Sequence, residues 1–163
     1  MTNPREHLYD LLSGFSTAML VSHDGESGLH ARPMAVAELK RDSEAYFATD
    51  RRSPKIAEIS RDPNVLITFQ NASEYASLSG RAFVVTDRAV IGRLWSNAWR
   101  LWFPEGKNDP NLVLVKVEPT KGEYWDNSGF EGMKYVFEGL KAVLKGKRPE
   151  TDANQHAKVT MSR

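Results

Sequence analysis

The chain has no cysteine among its 163 residues. Disulfides, thiolate metal sites and a cysteine nucleophile are thereby excluded, and a reducing compartment is permitted. It also lacks a charge excess. Lysine and arginine number 22 against 21 acidic residues, a net charge of +1, so no global field draws it to nucleic acid or anionic lipid. No apolar run approaches the roughly 20 residues of a membrane helix, and the opening MTNPREHLYDLL is charged, without the apolar core of a secretion signal. A cytoplasmic location is expected, with neither nucleic acid nor membrane as partner. The motifs GxGxxG, GxSxG, HExxH and the P-loop are missing too. His7, His23, His30 and His156 fall at unrelated spacings and read as surface histidines rather than metal ligands. No side chain presents itself as catalytic.

What is present fits one ordinary globular domain over residues 1–144, followed by a polar tail, 145–163, expected to be mobile. Asn3 can cap a helix with Pro4 at its first position and Glu6 at the capping-box place. Leu8, Leu11 and Leu12 line one face of that helix, and Gly14 stops it. Strands are expected at 16–22, 29–39 and 44–49. Pro33 cannot donate to a ladder, so it marks an edge, a bulge or an interruption in the second. Ser53 and Pro54 open a short helix to about Ser60, with Ile56 and Ile59 as its buried face. Strands then follow at 65–70 and 75–86, with a bulge or close approach at Gly80. Asp87 caps another helix; 112–117 and 122–126 read as strands separated at Pro119, and 131–144 as a weak helix. Strands joined by short connections, with helices only between some of them, point to an antiparallel barrel or sheet decorated by helices.

Arg32, Thr49, Ser53 and Lys55 are the polar residues of most interest. Two cations and two hydroxyls near strand ends and a helix start can form a phosphate site, because a helix N-terminus offers free N–H groups and partial positive charge. Read as an exposed first-turn residue, Lys55 opposes the helix dipole; an anion would relieve that cost, and its loss would leave the helix unharmed. On spacing alone, a solvated loop with surface charges remains the alternative. Trp95, Trp99 and Trp102 fall three to four apart, on one face if helical, and read as core or dimer interface ahead of ligand stacking.

In order, Ala31-Arg32-Pro33-Met34, Ala45 to Thr49, Ser53-Pro54-Lys55, Asp62 to Val65 and Ser79 to Ala82 resemble the pyridoxamine 5′-phosphate oxidase-like, FMN-binding split-barrel proteins. Leu94-Trp95, Trp102 to Gly106, Asp109-Pro110 and Tyr124 to Asp126 bring the likeness closest to the general stress protein branch. The resemblance implies a mainly β (α+β) fold, a six-stranded antiparallel split β-barrel of Greek-key type flanked by short helices. It also implies a homodimer with FMN, or FAD, at the subunit interface. Carried over by motif, Arg32 contacts flavin or its phosphate, Pro33 and Met34 lie along the ring system, and Ala48 and Thr49 reach the ribityl-phosphate region. Ser53 and Lys55 fall on the phosphate loop and helix start. A lysine that the true oxidase carries on the second strand is replaced by Ala37, and the tail has no counterpart to the oxidase's substrate-binding segment, so oxidation of pyridoxamine 5′-phosphate is not expected. Two functions stay open: an FMN-dependent oxidoreductase drawing on a nicotinamide donor, and a flavin carrier or sensor without turnover.

Overall fold

A computed structural model of the protein describes residues 3–129 and 155–161. Helix α1 (Pro4–Ser13) starts where Asn3 accepts a hydrogen bond from the Arg5 amide, and it buries Leu8, Leu11 and Leu12. Three strands follow as a meander: β1 (Thr17–His23), β2 (Leu29–Leu39) and β3 (Ala45–Asp50). Helix α2 (Pro54–Arg61) then carries the chain back across them, so that β4 (Asn64–Gln70) pairs with β1. The spatial order β4-β1-β2-β3 is a Greek key. Strand β5 (Glu74–Val85) pairs with β4, and β6 (Leu112–Asp126) with β5; pairing of β6 with β3 closes a six-stranded antiparallel barrel. Helix α3 (Arg88–Leu94) and two 3₁₀ segments, Asn97–Leu101 and Gly106–Asn108, fill the β5–β6 connection.

A barrel this narrow is filled by its own inward side chains. Leu20, Phe47, Ile67, Leu78, Val115 and Val117 are completely buried there. A ligand of any size must therefore bind outside the barrel. A second apolar cluster, with Tyr46, Ile91, Trp99, Phe103, Leu112 and Leu114, seats α3 and the first 3₁₀ segment against the barrel wall.

Several expectations need correction. Pro119 does not divide two strands: β6 runs unbroken through it, because Pro119 lies opposite Gly80 where the β5–β6 register shifts. A Cβ on Gly80 would stand 2.2 Å from the Glu118 carbonyl oxygen, which is the close approach the glycine permits. The tryptophans do not share one helix. α3 ends at Leu94, Trp95 is extended, and Ser96 caps a separate 3₁₀ turn by accepting from the Ala98 amide. The tail, expected to be mobile, contains β7 (His156–Thr160), which pairs with β6 outside the barrel and buries Val159. Its alternation, too short to stand out in a polar segment, gains meaning only beside the edge of β6. The weak helix expected over 131–144 lies outside the described residues. No helix among the described residues is long and apolar enough to cross a membrane.

Candidate functional site

The barrel parts at one place. Strand β2 pairs with β3 only from Val36 to Leu39, and its register shifts within that stretch. Residues 29–35 of β2 pair with β1 alone, and residues 48–50 of β3 with β6 alone. Beyond Val36 and Phe47 the two strands diverge, and their facing edges have no ladder partner in each other. Pro33 sits on this open edge, where a residue without an N–H costs no hydrogen bond.

The divergence opens a cleft of about 380 Å³. Pro33, Met34 and Ala35 form one lip; Ala48, Thr49 and Asp50 form the other. Lys55 closes the end from α2, and Trp99, Trp102 and Phe103 supply an aromatic wall. Trp99 and Phe103 are nearly buried, whereas Trp102 is 66% exposed at the rim. The aromatic residues thus serve both as core and as cleft wall, a role the sequence reading placed second. A polar cleft of similar size, about 390 Å³, lies over β5, β6 and β7, so volume alone does not select a site. The handling of charge does.

Lys55 is not the exposed first-turn residue expected of it; only 9% of its surface is accessible. Its ammonium donates to Thr49 Oγ1 at 2.9 Å and to Ser53 Oγ at 2.6 Å, both uncharged acceptors. Among the described residues no carboxylate lies within ion-pair distance of it. The nearby Asp50 is taken by Arg52, whose Nε and Nη2 donate to its two oxygens at 3.0 and 2.6 Å. Burial first, and repulsion from Arg32 second, lower the lysine's pKa. A buried cation without a counter-ion is costly, and an anion arriving from the cleft would remove that cost. Ser53 holds the N-cap position of α2, but its hydroxyl accepts from Lys55 instead of capping, leaving the first-turn amides to other partners.

The structure therefore gathers Pro33, Met34, Ala48, Thr49 and Lys55 at one cleft, with Ser53 behind the lysine. Arg32 is not on the cleft wall. Its Nη2 donates to Glu58 Oε2 at 2.5 Å, and its Nη1 to Ser22 Oγ at 2.5 Å and the His30 carbonyl at 3.2 Å. Glu58, like Lys55, faces inward: α2 buries Lys55, Glu58 and Ile59, while Ile56 is only half-buried. The signal was the three-residue spacing of Lys55 and Glu58 along one helix face. It was obscured because isoleucines at 56 and 59 define a neighbouring face by hydrophobicity. No cluster of potential metal ligands occurs among the described residues.

Comparison with known proteins supplies an independent line. The family model described as pyridoxamine 5′-phosphate oxidase like matches residues 3–150. General stress protein 26 of Bacillus subtilis is 33% identical over 79 residues, 45% of this chain and 56% of that protein. Protein bli-3 of Neurospora crassa is 27% identical over 137 residues, 74% of this chain and 66% of that protein. The matches thus span between about half and two thirds of these relatives' lengths. A solved structure described as the general stress FMN/FAD binding protein of the phytopathogen Xanthomonas citri superposes with a TM-score of 0.66 at 31% identity, covering 77% of this chain and 90% of that one.

Proposed function

From the premise that this chain belongs to the pyridoxamine 5′-phosphate oxidase-like family, we propose that the cleft between β2 and β3 binds FMN, with its phosphate at Lys55 and the start of α2. The observation that carries this reading is the buried ammonium of Lys55, bonded to two hydroxyls and without a carboxylate partner among the described residues, at the closed end of a cleft with an aromatic wall. Thr49 and Ser53 orient that ammonium by accepting two of its protons, leaving the third for a phosphate oxygen. Pro33 offers its main-chain carbonyl on the open edge of β2 to a flat ring system, with Met34 beside it on the lip. Ala48, with its small side chain, leaves room along the β3 lip for a linking chain. The relative from Xanthomonas citri, described as FMN/FAD binding, supports the choice of flavin. FAD carries the same inner phosphate and is the other candidate.

Bound flavin would supply the redox chemistry, and a nicotinamide donor is the proposed source of electrons. The chain's own part is to bind, orient and screen the ring from water. A carrier without turnover would use the same cleft, and the two are separated by offering NADH or NADPH with an acceptor to the flavin-loaded protein.

The second copy of this chain is the proposed partner. The outward positions Met19, Val21, Ala31, Pro33 and Leu66 adjoin one another by register across β2, β1 and β4. That apolar face is continuous with the cleft lip at Pro33, so a partner seated on it would cover both.

The decisive experiment is a pair of fluorescence titrations, FMN and riboflavin, on wild type and Lys55→Met. Loss of one charge-assisted contact to phosphate should weaken FMN roughly tenfold to a hundredfold and leave riboflavin unchanged. The apo-protein should melt at the same temperature or higher, because methionine replaces a desolvated charge. Unchanged FMN affinity would remove the phosphate from Lys55.

A further inference from the structure

An ammonium and a carboxylate that line one half-buried cleft are expected to pair, because each offsets part of the other's desolvation cost. Here they do not. Among the described residues Asp50 is the only acidic residue lining the cleft between β2 and β3, and Lys55 is the only basic one. The Lys55 ammonium is bonded to side chains on both sides of Asp50 in the chain, Thr49 Oγ1 at 2.9 Å and Ser53 Oγ at 2.6 Å, yet to no carboxylate. The turn between them is closed by the Ser53 amide, which donates to the Asp50 carbonyl at 3.0 Å. What occupies the carboxylate is Arg52. Its amide and Nε donate to Asp50 Oδ1 at 2.8 and 3.0 Å, and its Nη2 donates to Oδ2 at 2.6 Å. Three donors from one residue fix the carboxylate's orientation, and the guanidinium fork matches it as a lysine ammonium does not. Those bonds hold the Asp50 carboxyl below the ordinary carboxylate range, so it is charged at neutral pH. The Arg52 side chain is 71% exposed, so the pair adds little to stability. Its effect falls on the charge that the cleft presents.

We propose that Arg52 is a positioning residue: by engaging Asp50 it keeps that carboxylate from Lys55 and reserves the ammonium for the anionic group of the ligand. The proposal rests on the reading of the cleft as a site for a phosphorylated flavin. Without Arg52, the Asp50 carboxylate is free to turn toward Lys55, and an incoming phosphate must displace it. With Arg52 in place, the negative charge is offset on the spot and one Lys55 proton stays available. Two other roles make different demands. If Arg52 itself met the phosphate, its loss would be felt whether or not residue 50 is charged. If Asp50 accepted a hydrogen bond from the ligand, removing its charge would weaken binding instead of strengthening it.

The test measures FMN and riboflavin affinity for Arg52→Ala, Arg52→Lys, Asp50→Asn and the Asp50→Asn/Arg52→Ala double variant. Carbon-13 NMR titration of the lysine side chains in the apo-protein runs alongside. Arg52→Ala should weaken FMN roughly three- to tenfold with riboflavin unchanged, and Arg52→Lys, which keeps the charge without the fork, should weaken it less. Asp50→Asn retains an oxygen for the Arg52 amide, so the turn survives; it should tighten FMN. The double variant should return to within about twofold of wild type, because the competing carboxylate is gone together with the residue that restrains it. In the apo-protein, Lys55 should lose its proton at higher pH in Arg52→Ala than in wild type, and the double variant should cancel that change. Unchanged FMN affinity in Arg52→Ala, or an equal loss of riboflavin, overturns the proposal. So does a double variant as weak as Arg52→Ala, which would put Arg52 on the phosphate, or weakened FMN in Asp50→Asn, which would put Asp50 on the ligand. Should Lys55→Met leave FMN untouched, the phosphate reading fails on its own. The NMR arm then decides separately, and an unmoved Lys55 titration in Arg52→Ala refutes the positioning role.

Discussion

Lys55 and Glu58 lie three residues apart on the inward face of α2, yet their charges are met in opposite ways. Glu58 has a serine, a histidine and an arginine around it; Lys55 has two hydroxyls and no carboxylate among the described residues. One charge is matched by an opposite charge within the fold, and the other has only hydroxyl partners among the described residues. The matched one has a consequence for acid stability. The folded pKa of Glu58, about 2, lies below its ordinary value of 4.5, so the unfolded chain takes up the proton first as pH falls. Its contribution is fully present above about pH 4.5 and disappears as pH drops through about 2. It amounts to on the order of 3 kcal/mol. Urea unfolding of wild type and Glu58→Gln at pH 6 and pH 2.5 should show the stability gap between them narrowing sharply at the lower pH. A gap that stays constant would mean that Glu58 is not stabilised as a carboxylate.

At the scale of the element, irregularities in strands shape the cleft and the sheet edge. Pro33 and the register shift in β2 end its pairing with β3 and so create the cleft. The shift between β5 and β6, at Gly80 and Pro119, instead lets a 15-residue strand serve the barrel with one half and β7 with the other. Gly80→Ala tests this second irregularity. Its Cβ would meet main-chain atoms, the Glu118 oxygen at 2.2 Å and the Pro119 Cα at 2.8 Å, and neither can swing aside. Destabilisation of about 2 kcal/mol or more is expected in denaturant titrations, with an unchanged slope. Unaltered stability would mean that β6 can slide away from β5 at low cost. β7 itself is fastened by side chains: His156 meets Glu123 at 2.7 Å and stacks on Trp125.

For the whole molecule, closure of the barrel fills the interior, so the proposed flavin site lies outside it. The open side of the cleft and the apolar face of β2, β1 and β4 share Pro33. If a second copy covers both, assembly and ligand binding are coupled. Leu66→Glu, placed where Leu66 faces Val21 across the β1–β4 pair, should convert a dimer to a monomer in sedimentation and weaken FMN as well. Lys55→Met should weaken FMN without changing the assembly. A wild type that sediments only as a monomer at micromolar concentration with flavin bound would dismiss the shared site.

Local chemistry carried much of this in the sequence. Caps at Asn3 and Asp87, the extent of β2, the opening of α2 at Pro54 and the closeness of backbone at Gly80 follow from capping, alternation and steric rules that act over a few residues. The ordered motifs marked Pro33, Met34, Ala48, Thr49 and Lys55, which the fold brings to one cleft. Tertiary structure decided the rest, because each remaining feature depends on a partner distant in sequence. Whether Lys55 is exposed depends on Thr49 and the cleft wall; whether Arg32 is free depends on Ser22 and on Glu58, 26 positions away. The tryptophans became a wall only when Ser96 broke their helix and the outer cluster buried Trp99. A five-residue strand in a polar tail acquires its meaning from the edge of β6, since half a ladder has no signature until the other half is there.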